Sequence, residues 1–195
     1  MKPAQVKLGE VANVQLGITL RGVSASRHDP AGTHQLIRIG DISDDGMLRF
    51  SGPNLIRLDA DTAARFTLHP GEVLLAARGQ RMTATVFDFP MPAVVGSQYC
   101  VIRPRPDRII SAYLRWYLNL SVIQERLNSL ARGTYVRSLP ASELAELEIP
   151  LPSLPRQHAI AELHELRLRE RQLMEALASR RALFVDQALL RSLRQ

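Results

Sequence analysis

Lysine is nearly missing from this chain: of 25 basic residues only Lys2 and Lys7 are lysines, and the other 23 are arginines. A nuclease of the carboxylate-plus-lysine kind needs a lysine beside its metal ligands, so this scarcity argues against that chemistry. Cysteine is limited to Cys100, in the apolar run YCVI. No intrachain disulfide can form, and a buried free thiol in a reducing cytoplasm is the expected setting. No apolar run approaches the roughly 18 residues of a membrane span. The opening MKPAQVKLGEVANV also lacks the apolar centre of a signal peptide.

Catalytic motifs are absent as well. There is no GxxxxGK[ST] phosphate loop, no GxGxxG after a strand, no Asn-Pro-Pro-aromatic run of an amino-methyltransferase and no nucleophile elbow. DISDDG (41–46) has the look of a calcium loop, but the glutamate required at its twelfth position falls on Gly52. His158 and His164 are six apart, on different faces of a helix. The expectation is a chain that catalyses nothing alone and carries neither cofactor nor metal.

What remains is a 195-residue chain with 46% hydrophobic and 23% charged residues, the balance of a soluble globule. The length suits one domain with an appendage, or two small domains. Its formal charge of +6 suits a polyanionic partner. The arginine bias has two readings, codon usage in a GC-rich genome or the planar fork that binds phosphates and guanine edges in pairs.

VKLGEVANVQLGI (6–18) reads as a strand or short helix, and residues 19–35 as a long loop. LIRIGDI reads as a strand closed by the turn SDDG. DADTAARF reads as a short helix capped by Asp59 or Asp61, and His69-Pro70-Gly71 as a type II turn. EVLLAA and TATVFDF are strands around the polar ARGQRM, and AVVGSQYCVIRP is read as one more strand. A helix is expected from an N-cap at Ser111 through SAYLRWYLNLSVIQERLNSLAR, stopped by Gly133.

LEIPLPSLPRQHAIAEL (147–163) is a stiff junction, with prolines at 150, 152 and 155. From Ser153 the pattern is helical to about Leu193, a rod on the order of 60 Å. Ile160, Leu163, Leu166, Leu173, Leu177 and Phe184 form an apolar stripe, with Ala188 beyond, interrupted by Glu170, Arg180 and Gln187. Such a stripe calls for a second helix, from another copy or a partner.

In order and spacing these segments resemble the specificity subunit of type I restriction–modification enzymes. VKLGEVANVQLG is similar to the family's opening segment, QLIRIGDISDDG to its IRxGDI element and LHPGEVLLAARG to its PGDIL element. AVVGSQYCVIRP resembles the segment before its helix, and ARGTYVRSLPASELAELEIPLPSLPRQHAIAEL the segment that ends in IPLPP and a Gln-containing helix start. The resemblance implies an α+β fold: a mixed α/β target recognition globule over 1–148, then a junction and long spacer helix over 149–195. It implies two such helices packed as an antiparallel coiled coil, each globule reading half of a split DNA site. Methyltransferase subunits would bind the helices and do the chemistry. The family usually carries two recognition domains, so this chain is half-sized or a fragment. A half-sized subunit would dimerise through its helix and read an inverted repeat. Ser153 and Pro155 depart from the family's pattern at the methyltransferase contact. An orphan DNA-binding protein and a protein–protein adaptor using the helix are the alternatives.

Sequence readout needs side chains that reach base edges, with arginines on phosphates. The candidates are Arg21 and Arg27 in the first long loop, Arg78, Gln80 and Arg81 in ARGQRM, and Arg132, Thr134, Tyr135 and Arg137 in ARGTYVR. Gly79 and Gly133 would let the backbone approach phosphates closely.

Overall fold

The computed structural model describes residues 3–20, 28–43, 46–50, 52–78, 82–133 and 137–192. It divides into two compact units, 1–158 and 159–195. The fold is α+β, a mixed globule followed by a long helix.

The first segment holds both structures its pattern allowed. Strand β1 (Ala4–Lys7) leads into one helical turn, α1 (Leu8–Val11), which buries Leu8 and Val11, and then into β2 (Ala12–Leu16). Strand β3 (His34–Ile37) ends at a 3-10 turn (Ile39–Asp41), where the Arg38 N–H donates to Asp41 Oδ2. After β4 (Leu55–Ile56) comes α2 (Ala60–Phe66). Its cap is Asp59, which accepts from the Thr62 N–H at 2.8 Å and the Thr62 hydroxyl at 2.7 Å. Both bonds favour the ionised carboxylate, and they hold Asp59 below the ordinary carboxylate range. His69-Pro70-Gly71 is the type II turn its residues demand: Gly71 has φ +89° and the Glu72 N–H returns to the His69 carbonyl.

Strand β5 (Glu72–Ala76) is buried at every position because β6 (Ala84–Phe87) and β8 (Tyr99–Pro104) flank it on both sides. With β2 these make a four-stranded antiparallel sheet in the order β2-β8-β5-β6. AVVGSQYCVIRP is two strands rather than one. Its first part, β7 (Ala93–Val95), pairs in parallel with β3 in a second sheet, and only its second part is β8. The break falls at Gly96, where a side chain on neighbouring Gly17 would lie 2.4 Å from the Gly96 carbonyl oxygen. Two backbones pass there at glycine distance, and the Tyr99 N–H closes the turn on the Gly96 carbonyl. Ile37, Leu74, Phe87, Val95, Tyr99 and Val101 join both sheets in one apolar core.

The expected long helix is also two: α3 (Ser111–Leu118) and α4 (Ser121–Leu130). Ser111 is not the cap. Ile110 holds that position, and the Ser111 hydroxyl donates to the Gly71 carbonyl. The chain breaks at Asn119, whose amide is committed elsewhere. Gly133 (φ +111°) lies beyond the end of α4 at Leu130, where Ala131 already turns to extended geometry. Short α5 (Ala141–Ala145) precedes β9 (Glu148–Leu151), which pairs antiparallel with β1, Ala4 opposite Leu151.

The last helix, α6 (Leu154–Ser192), begins where the Arg156 and Gln157 N–H groups donate to the Ser153 carbonyl. Pro155 falls in its first turn, where a missing N–H costs nothing. Gln157 is fully buried. Its Oε1 accepts from the Ile110 N–H at 2.9 Å, and its Nε2 donates to the Arg108 carbonyl at 3.0 Å and the Pro152 carbonyl at 2.9 Å. The hydroxyls of Tyr113 and Tyr117 donate to the carbonyls of Pro150 and Glu148. The junction is thus held by side-chain hydrogen bonds as well as by its prolines. No helix among the described residues is long and apolar enough to cross a membrane.

Candidate functional site

Two of the three candidate loops meet on Ser138. The Arg132 N–H donates to the Ser138 carbonyl at 2.9 Å and the Ser138 N–H to the Arg132 carbonyl at 2.8 Å. Arg78 bridges Ser138 from the other side, and the Leu139 N–H donates to the Ala77 carbonyl. One short stretch of backbone therefore anchors the end of β5 and both limbs of the 132–138 loop. Leu139 is fully buried, which ties that anchor to the interior.

The return limb of the 78–82 loop is held by side-chain amides. The Thr83 and Phe87 carbonyls bond inward to the N–H groups of Ala76 and Gly71, so residues 82 and 84 present their backbone to the open edge of the sheet. Asn119 covers Ala84 there: its Oδ1 accepts from the Ala84 N–H at 2.9 Å and its Nδ2 donates to the Ala84 carbonyl at 2.8 Å. Gln124 does the same for Met82, at 3.1 and 2.9 Å, and its Nε2 also donates to the Leu118 carbonyl. A carboxamide presents a C=O acceptor beside an N–H donor, the same two groups a neighbouring strand would offer, so each amide replaces a rung of the missing strand. The commitment of Asn119 also explains the break between α3 and α4. Gly46 (φ +74°) packs on the same spot, where a Cβ would lie 2.8 Å from the Ala84 carbonyl oxygen.

The side chains at these loops have different occupations. Arg78 is exposed and can present its planar donor fork to an anion or a base edge. Arg132 is ion-paired with Glu143 at the start of α5. The Arg137 Nη1 donates to the Asn128 carbonyl in the last turn of α4. Arg21, Arg27, Gln80, Arg81, Thr134 and Tyr135 lie outside the described residues, as does Gly79. Sequence reasoning missed Asn119 and Gln124. Their only signal is an amide in an otherwise apolar helical pattern, which does not announce a backbone partner some 35 or 42 residues away.

A cavity of about 490 Å³ lies elsewhere on the globule, lined by His69, Glu72, Arg103, Ile109, Ser111 and His158 among others. Arg103 Nε donates to buried Glu72 Oε1 at 2.5 Å, and His69 Nδ1 lies 3.3 Å from the same oxygen. Glu72 Oε2 and Arg103 Nη2 have no hydrogen-bond partner among the described residues. They are the two atoms that would complete a paired fork, so the arrangement is an ion pair between a buried carboxylate and a half-buried guanidinium. Among the described residues no three His, Cys, Asp or Glu side chains gather as metal ligands.

Comparison with known proteins decides the lineage. A family model described as type I restriction modification DNA specificity domain matches residues 2–165. The chain belongs to that family. Among solved structures, one described as the structural basis of complex assembly and conformational transition of the type I R-M system matches with a TM-score of 0.68. It is 20% identical over 90% of this chain and 41% of the other. The type I restriction–modification S subunit from M. genitalium matches at 0.58, 20% identical over 85% of this chain and 41% of its own. The HsdS subunit from Thermoanaerobacter tengcongensis matches at 0.60, 20% identical over 86% and 37%. This specificity-family chain therefore spans about two fifths of the length of the structures it matches. No curated protein matches.

Proposed function

We propose that this chain reads DNA as the specificity subunit of a type I restriction–modification system, without catalysing a reaction itself. Residues 1–148 are the reading domain, and 149–195 are the junction and a helix through which two copies pair. The pair presents two reading domains to a split, inverted-repeat site and docks methyltransferase subunits, in the cytoplasm. The observation that carries the reading is the convergence of the Arg78 and Arg132–Arg137 loops on Ser138. Two arginine-bearing loops held on one anchor bring cationic donors for phosphates and base edges to one place, which supports this reading, as does membership of the specificity family.

Selection from random DNA tests it. Enrichment of one split palindrome, with affinity falling steeply with salt as counterions are released, is expected. Absence of enrichment, or a flat salt response, would refute DNA reading. It would favour instead an adaptor that works through the exposed apolar residues of α6.

A further inference from the structure

Five apolar residues of α6, Leu163, Leu166, Leu173, Leu177 and Phe184, are between 45% and 72% exposed. They fall on alternating steps of three and four residues, the spacing that places side chains on one seam of a paired helix. The same seam carries exposed Glu170, Arg180 and Gln187 at the steps left over. A charge inside an apolar seam is costly unless an opposite charge meets it, so these interruptions restrict how a second helix can lie there.

Only one of the simple arrangements with a second copy satisfies them. In a parallel, in-register pair Glu170 faces Glu170 and Arg180 faces Arg180, so both charged layers repel. In an antiparallel pair the two kinds of seam position face each other across a two-fold axis. With the axis at residue 175, Glu170 of each copy meets Arg180 of the other. In the same register Leu173 meets Leu177, Leu166 meets Phe184 and Leu163 meets Gln187. Slipping by one heptad in one direction sets Arg180 against Leu177 and Glu170 against Gln187. Slipping in the other sets Arg180 against Leu163 and Glu170 against Leu173. Either slip leaves both charges without an opposite partner.

Given the antiparallel pair of helices that the family resemblance implies, we infer that two copies meet in the register centred on residue 175, with reciprocal Glu170–Arg180 ion pairs as the register-setting contacts. This rests on the proposal that the chain pairs through α6 and adds to it which residues face each other. In this register the two helix starts at Leu154 are roughly 60 Å apart at 1.5 Å per residue. One heptad of slip would change that separation by about 10 Å, the length of roughly three base pairs. The charged layers thereby set a distance that an apolar seam alone would leave open.

The test uses the full chain. Wild-type mass in solution comes first: a monomer overturns pairing itself, and the register with it. Given a dimer, Leu166→Cys protein mixed with Phe184→Cys protein under oxidising conditions forms the mixed disulfide dimer, and neither variant crosslinks to itself. Glu170→Arg and Arg180→Glu each raise the dimer dissociation constant about tenfold or more, and combining both in one chain restores it. A wild-type dimer that fails to give the mixed crosslink, or that tolerates each single reversal, would overturn the register while leaving pairing intact.

Discussion

Gln157 accepts a hydrogen bond from the Ile110 N–H at 2.9 Å, joining the first turn of α6 to the N-cap of α3. The same side chain donates to Arg108 and Pro152, so one amide serves three backbone groups. Gln157→Leu keeps the volume but strands those groups. It should lower unfolding free energy by about 1–3 kcal/mol, read from the urea midpoint at constant slope. An unchanged midpoint would mean that water replaces the amide at no cost.

The junction ahead of Gln157 bears on spacing. If the junction fixes the exit of the helix, Pro150→Gly with Pro152→Gly should leave half-site affinity nearly intact and broaden the spacer lengths enriched from random DNA. Because Tyr113 and Tyr117 still hold the carbonyls at 150 and 148, Tyr113→Phe added to the glycines should broaden it further. A spacer preference that stays sharp in all of these variants would reduce the junction to a domain boundary.

The arginines at the Ser138 anchor should separate. Arg78→Ala removes an exposed side chain and should weaken cognate DNA binding by about 1–3 kcal/mol with little change in stability. Arg132 is already paired with Glu143, so Arg132→Ala should cost less affinity than Arg78→Ala at matched salt. The reverse order, by fluorescence anisotropy, would show that Arg132 leaves Glu143 when DNA binds.

Asn119→Leu and Gln124→Leu expose the edge of β6. Each leaves an N–H and a carbonyl at Ala84 or Met82 without its partner, and should destabilise the globule by about 1–3 kcal/mol. If the loop that returns at Met82 reads DNA as proposed, Gln124→Leu should also lower DNA affinity in protein that remains folded. Stability loss with unchanged affinity would make Gln124 structural only.

Alkali should loosen the core. Burial pushes the Cys100 thiol up to about 12 from 9.0, and, with neighbouring Tyr117 adding to it, the Tyr113 phenol up to about 12 from 10.0. Both groups hold their protons more tightly folded than unfolded. Their stabilisation is complete below pH 9 and is lost as the pH rises towards 12. Urea midpoints should fall over that window, and Cys100 should resist thiol reagents at pH 8 until the chain unfolds.

How far the sequence revealed this arrangement depended on how local each signal was. Pro70-Gly71 and Asp59 announce their turn and cap because both interactions close within four residues. The two helices at Asn119 and the two strands at Gly96 each look like a single element in the sequence for the opposite reason. Asn119 is spent on Ala84, and Gly96 is shaped by Gly17, contacts that no periodicity carries. Gln157 was visible as part of a helix start, but its three partners were not. Ser111 illustrates the same limit, since a serine before a helical pattern reads as a cap until Gly71 claims its hydroxyl. At the candidate site, the glycine and arginine composition of the loops was legible, whereas their meeting on Ser138 was not.

The pairing of β1 with β9 has a consequence in time. Ala4 finds its partner Leu151 only after nearly the whole globule has been synthesised. Chain made at about 5–20 residues per second leaves that first strand waiting for many seconds. During that interval α1 lacks the Leu147 carbonyl that receives the Leu8 N–H, and the globule is open at its seam. Closure comes with the last strand, just before α6 emerges, so the globule can close only when the chain is already passing into its long helix.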